Sequence, residues 1–587
     1  NTQYGADLNN TTGSGNIILT GTNTFDGNSF YGLRAYSNGN ISLNNVTATQ
    51  NTQYGAYLNN TTGSGDIILT GTSTLNGNNS YGLRAYSNGN ISLNNVTASQ
   101  NTQHGADLDN TYGSGNISLS GTNTFNGNSF YGLHAYSNGY ISLNDVTANQ
   151  NTQYGANLNN TTGSGDITLT GTNTFNENGE YGLVAIANGN ISLNNVTATQ
   201  NTQHGADLSN ATFSGDITMT GTNSFNGNSS YGLRAYSNEN ISINNVTATQ
   251  NTQYGAYLNN TTGSGNISLT GTNIFNGNSF YGLRSYSNRN ISINNVTASQ
   301  NTQHGTFLDN SYGSGDITLT GTNTFNTNGG YDLYTKTNGN ITIENITAYG
   351  NGGTSLYLDP PTGNPANITI NCGNIYDNAT GLEAFLSGAL TLNGVTFNNN
   401  GTDFVNNGGT LVVNPDYCTP ISDTVITPIS GTVVTPISGT DKQSADAPAK
   451  PINQVSATSG TVELSCELYS GTQLSLPSGD SVYFPCPIKD TATLAGSEET
   501  KADLPEGSTF QSGFTIEVTE NGKSTDKLSA FATISFAIPA GVDVSSLAIL
   551  YWNGSEWVEQ VGFVSADGLY FQTTVDFTGT FVLVSVE

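Results

Sequence analysis

The chain has 587 residues, only 9% of them charged, and a net charge of −29 with twelve Lys plus Arg. So small a basic complement leaves no footprint for nucleic acid and no attraction to an anionic membrane surface. No apolar run reaches the roughly 18 residues of a membrane-spanning helix, so direct membrane insertion is not expected.

Residues 1–350 are seven copies of a 50-residue unit. In the first copy a longer coil runs from Tyr4 to Phe30 and a shorter one from Tyr31 to Gln53. The longer reads Y-G-A-D-L, a loop N-N-T-T-G-S-G, N-I-I-L-T-G and a corner F-D-G-N. The shorter reads Y-G-L-R-A, a loop Y-S-N-G, N-I-S-L-N-N-V-T-A and a corner Q-N. Short alternating apolar runs between Gly/Asn clusters are the strand-and-turn signal, and no segment carries the apolar period of a helix. Ile17 and Leu19 recur as Ile67 and Leu69, then Ile117 and Leu119, while the residue between them drifts. The recurring pair is therefore expected to point inward.

Sixteen asparagines punctuate the corners: Asn28, Asn51, Asn78, Asn101, Asn128, Asn151, Asn178, Asn201, Asn228, Asn251, Asn278, Asn301, Asn328, Asn351, Asn378 and Asn400. Spacings of 23 and 27 alternate with little slippage, the mark of a solenoid that brings one side chain to one corner at every turn. Stacking the two coil types sets Ala6 over Leu33, Leu8 over Ala35 and Phe25 over Ala48. Large on small fills a narrow core without voids. The corner amides can then bond from rung to rung.

Aromatic residues open the coils at Tyr4, Tyr31, Tyr54, Tyr81, His104 and Tyr131 and continue upward. Histidine takes the place of tyrosine at 104, 204 and 304. Rings in register at ~4.8 Å are expected to stack. Residues 1–418 are assigned to the solenoid, with divergent coils after residue 350. Residues 419–455, with three copies of Thr-Pro-Ile-Ser, read as an extended linker. Residues 456–587 return to alternating strands and are expected to form an antiparallel β-sandwich-like domain. Asn553-Gly554 between Tyr551-Trp552 and Trp557-Val558 signals a hairpin.

Cys466 and Cys486 flank a short turn-rich stretch and are a candidate disulfide, which implies an oxidising, external compartment. Cys372 and Cys418 lie about two rungs apart, beyond the ~7 Å reach of a bridge unless the chain leaves the solenoid early, and stay open. No signal peptide precedes Asn1, so either it is removed or the chain starts inside a longer one.

The Asn corners, the G-N-I-x-L-x-N-V strand pair and the coil length resemble the right-handed parallel β-helix of pectate lyases, polygalacturonases, phage tailspikes and many bacterial surface proteins. The resemblance covers about residues 1–418 and implies an all-β solenoid of about 16–17 coils, roughly 80 Å long at ~4.8 Å per coil. It does not imply one activity, because the fold serves enzymes and passive stalks alike.

Enzymes of this fold that cut acidic polysaccharides use Arg or Lys bases with carboxylates, or paired carboxylates. The Asp-Asp, Gly-His-Gly and Arg-Ile-Lys signatures of the polygalacturonases are absent. Arg34 recurs as Arg84, Arg234 and Arg284, but the equivalent positions 134 and 184 hold His and Val with no constant carboxylate partner. These read as solvated surface residues. Asp66, Asp166, Asp216 and Asp316 alternate with Asn16, Asn116 and Asn266 beside the Gly-Ser-Gly loop; at most weak Ca²⁺ binding is expected there, with no other cofactor. Asn-x-Ser/Thr sequons at Asn10, Asn40 and Asn45 depend on the host for their use.

The expected function is a non-enzymatic extracellular structural protein at the cell surface: a fibre, sheath or layer subunit that forms a homo-oligomer or homopolymer through head-to-tail contacts of an uncapped solenoid. The alternative is an adhesin or stalk that binds surface glycans through the tyrosine columns, with Tyr36, Tyr86 and Tyr236 as the residues to test, and through the protruding loops. A polysaccharide lyase or hydrolase is the least favoured reading.

Overall fold

A computed structural model describes residues 3–210, 214–359 and 366–415, and most of those between 453 and 586. It divides into two units, 1–427 and 428–587. The first is a right-handed parallel β-helix of about 17 coils. Three parallel sheets run its length, two of 17 strands and one of 16.

Each coil gives one strand to each sheet, except that the last described coil gives strands to the first two only. In the second copy the long coil contributes Ala56–Asn60, Ile67–Thr70 and Ser73–Thr74, and the short coil Leu83–Ser87, Ile91–Asn94 and Val96–Thr97. The register sets Ala56 beside Leu83 and Leu58 beside Ala85 in the first sheet, and Ile67 beside Ile91 in the second. Inward residues are wholly buried, and those between them are not. In the third sheet Phe325 lies between Ala298 and Ala348. Sheet two passes to sheet three through a left-handed residue, Gly71 at φ +70° in the long coil and Asn95 at φ +54° in the short one. Glycine reaches that region freely, and asparagine is among the few other residues that tolerate it.

In the second unit two sheets, of six and seven strands, are antiparallel except where Asn453–Ser456 runs parallel to Thr472–Ser475. That first strand begins inside the stretch expected to be linker. Its pairing with Thr472–Ser475 accounts for the difference, and three of its four residues fall within 419–455. Phe514 of one sheet meets Phe536 of the other with ring centroids 4.8 Å apart, in a core shared with Leu474, Val482 and Phe581. The hairpin at Asn553 pairs Trp552 with Trp557. Among the described residues there is one 3₁₀ turn, Val544–Ser546, and no α-helix.

Candidate functional site

The corner asparagines form a continuous chain of side-chain hydrogen bonds from Asn28 to Asn328. Asn28 Nδ2 donates to Asn51 Oδ1 at 2.9 Å, Asn51 to Asn78 at 3.0 Å, and Asn178 to Asn201 at 3.1 Å. Each Oδ1 also accepts the backbone N–H of the preceding rung residue, as Asn201 Oδ1 does from Asn178 at 2.9 Å. One amide thus satisfies turn groups that no strand reaches.

The chain of bonds breaks after Asn328. The glycine that opens the short coil in the six earlier copies is Asp332 in the seventh. A Cβ on the equivalent Gly32 would stand 2.7 Å from Asn51 Nδ2 and 2.7 Å from Gly55 O. With Asp332 in that place, Asn351 turns its amide to Gly330 O, and its buried Oδ1 is left without a partner. Asn328 donates to the Asp332 carboxylate instead, at 2.6 Å, and Ser355, which also replaces a glycine, donates to it at 2.8 Å. Burial pushes Asp332 up to about 7 despite these donors. Asn351 to Asn378 resumes the backbone-to-side-chain link, and Asn378 Nδ2 donates to Asn400 Oδ1 at 3.1 Å.

A second ladder takes up the residues read as weak Ca²⁺ candidates. Asn16 Oδ1 accepts from the Asn40 N–H, Asn40 Oδ1 from Asp66, and Asp66 Oδ1 from Asn90. Asp166, Asp216 and Asp316 likewise accept from Asn190, Asn240 and Asn340. These carboxylates thus close the wall between coils, a role that the sequence reading missed. The repeat of Asn or Asp at one position was its only signal.

The aromatic column runs unbroken from Tyr4 through Tyr31, Tyr54, Tyr81, His104 and Tyr131 to Tyr331, with neighbouring centroids 4.5 to 5.5 Å apart. Its rings are not uniformly stacked: Tyr131 and Tyr154 are 2° apart, whereas Tyr181 and His204 meet edge-on at 90°. Stacked, tilted and edge contacts are mixed along the column, in keeping with a ring quadrupole that favours offset and edge-on arrangements over a face-to-face pile. His104, His204 and His304 each accept the backbone N–H of the next tyrosine at Nδ1, at 3.2, 3.4 and 2.8 Å. Burial first, then nearby His134, Arg234 or Arg284 respectively, pushes each down to about 4. They are neutral acceptors at neutral pH.

Beside that column the outward arginines are not simply solvated. Arg34 lies 3.6 Å from Asp7 and Arg84 3.2 Å from Asp107, and Arg234 grips Asp207 through Nε at 2.9 Å and Nη2. Arg284 donates to Tyr254 Oη at 2.8 Å, as Arg34 and Arg84 do to Tyr4 and Tyr54 at 3.1 and 3.3 Å, but has no carboxylate beside it among the described residues. All four guanidinium groups stand over tyrosine rings, at 4.8 to 6.0 Å from the centroids, a cation–π arrangement. Tyr36 and Tyr236 are covered in this way and by Tyr57 and Tyr257. Tyr86 has the exposed Tyr112 at its edge. The sequence reading singled out Tyr86 but neither Tyr57 nor Tyr112.

Cys372 is disulfide-bonded, while Cys418, Cys466 and Cys486 lie outside the described residues, and with them the expected 466–486 pair. No family model and no curated protein matches this chain.

Proposed function

We propose that the protein is a non-enzymatic structural rod of the cell exterior, which assembles end to end into a fibre, sheath or layer. The observation that carries this reading is where the polar side chains are spent. Corner amides, wall carboxylates and histidines all bond to the neighbouring coil rather than converging on a reacting centre. Such bonding holds each coil to the next and favours a stiff rod over a flexible chain. An end-on contact has a natural seat in the last described coil. Thr402–Asn407 and Thr410–Asn414 pair on one side only among the described residues, and Leu411, Val412 and Val413 are exposed. An open parallel edge is a template for another strand. Electron microscopy of the purified chain over a range of concentrations is expected to show end-to-end filaments or sheets. Only separate rods of roughly 80 Å at every concentration would overturn the assembly.

A second reading, a glycan-binding stalk, draws support from the exposed tyrosines beside Arg84 and Arg284. Rigid aromatic faces next to amide and guanidinium donors are the chemistry that holds a pyranose ring.

A further inference from the structure

The same six side chains meet twice on the face of the first sheet. Tyr57, Asn59, Thr61, Arg84, Tyr86 and Tyr112 line a shallow cleft of about 290 Å³. Two hundred residues later Tyr257, Asn259, Thr261, Arg284, Tyr286 and Tyr312 occupy the equivalent positions, and no other copy of the repeat combines these six. Arg84 sits beside Tyr57 in register as Arg284 does beside Tyr257. Tyr112 meets Tyr86 at 6.2 Å and Tyr312 meets Tyr286 at 6.3 Å, and the outer rings are 63% and 64% exposed. Both guanidinium groups lie 5.0 Å from the inner ring. Eight coils, about 38 Å, separate the two clefts on one face.

The residue beneath the arginine sets their charge apart. Below Arg84 the next strand presents Asp107, 3.2 Å from the guanidinium; below Arg284 it presents Phe307, whose ring lies 5.7 Å away. Arg284 therefore has no carboxylate within ion-pair distance among the described residues. The other nearby acid is common to both clefts: Asp109 and Asp309 occupy matching positions and accept from Thr111 and Ser311. The first cleft thus holds a neutralised cation and the second an uncompensated one, in a chain with only twelve Lys plus Arg.

We propose that the two clefts are sugar subsites, and that the second selects the carboxylate of an acidic residue such as a uronic acid. This rests on the glycan-binding reading. Tyr286 and Tyr312 take the apolar face of the ring, while Arg284 pairs with the carboxylate by a charge-assisted hydrogen bond. A polymer long enough to reach both clefts gains from simultaneous contact.

The test is calorimetric titration of the full chain with trisaccharides of galacturonic and glucuronic acid and with their methyl esters. The free acids are expected to bind at the second cleft. Phe307→Asp, which gives Arg284 the partner that Arg84 already has, should weaken them about tenfold or more and leave the esters unchanged. Asp107→Phe should create a second acid-binding site. Both variants place a residue that the fold already carries in a matching copy. Tyr312→Ala should abolish binding at the second cleft. Equal affinity for acid and ester, indifferent to Phe307→Asp, would overturn the acid selectivity and leave the glycan reading standing. No binding of any of the four sugars would overturn both.

Discussion

Asp332 shows how one substitution reorganises a repeat. A glycine at this position lets the next rung's amide come close; a side chain forces that amide aside, and the carboxylate takes over the orphaned donor of Asn328. The exchange has a pH signature. Asp332 in the folded chain is raised to about 7 from an ordinary 3.8, so the folded state holds its proton more tightly than the unfolded state does. Its contribution to stability is fully present below about 3.8 and is lost as pH rises to about 7. Asp332→Asn keeps a group that can accept from Asn328 but cannot titrate. Urea unfolding at pH 4.5 and 7.5 should show the parent losing about 3 kcal/mol relative to this variant on going to the higher pH. The three histidines titrate with the opposite sign, but both chains carry them, so the difference isolates Asp332. An equal response of the two chains to pH would contradict the assignment.

Among the elements, the second ladder is the part of the wall least visible in the sequence. Asn16 and Asp66 look chemically different, and the alternation invites a metal-binding reading. Once coils are stacked, only the shared Oδ1 acceptor matters, and Asn and Asp serve equally. The period was legible, but the partner of each side chain was not, because it lies 24 or 26 residues away in the next coil. The third copy tests this ladder naturally. Tyr140 stands where the first two copies have Asn40 and Asn90, so it offers no amide oxygen to the Asp166 N–H. Tyr140→Asn should therefore stabilise the chain by about 0.5–1.5 kcal/mol, read as a higher urea midpoint. A lower midpoint would argue against it.

At the scale of the whole solenoid, strand positions and inward residues could be read from the repeat alone, because periods of 50 residues and alternation within strands report burial directly. Ala6 beside Leu33 and Leu8 beside Ala35 are in the register that large-on-small filling requires. The twin clefts could not be read in this way. Each draws on three consecutive coils, and their distinguishing residue, Asp107 or Phe307, belongs to the coil beneath the arginine it tunes. What makes one rod of these coils is the amide ladder, and hydrogen exchange probes it directly. In the parent chain the backbone N–H of Asn178, bonded to Asn201 Oδ1 at 2.9 Å, should exchange as slowly as the strand amides beside it. In Asn201→Ala it should exchange far faster while the flanking strands stay protected. Free exchange of the Asn178 N–H in the parent, or protection unchanged by the loss of Asn201, would contradict the ladder.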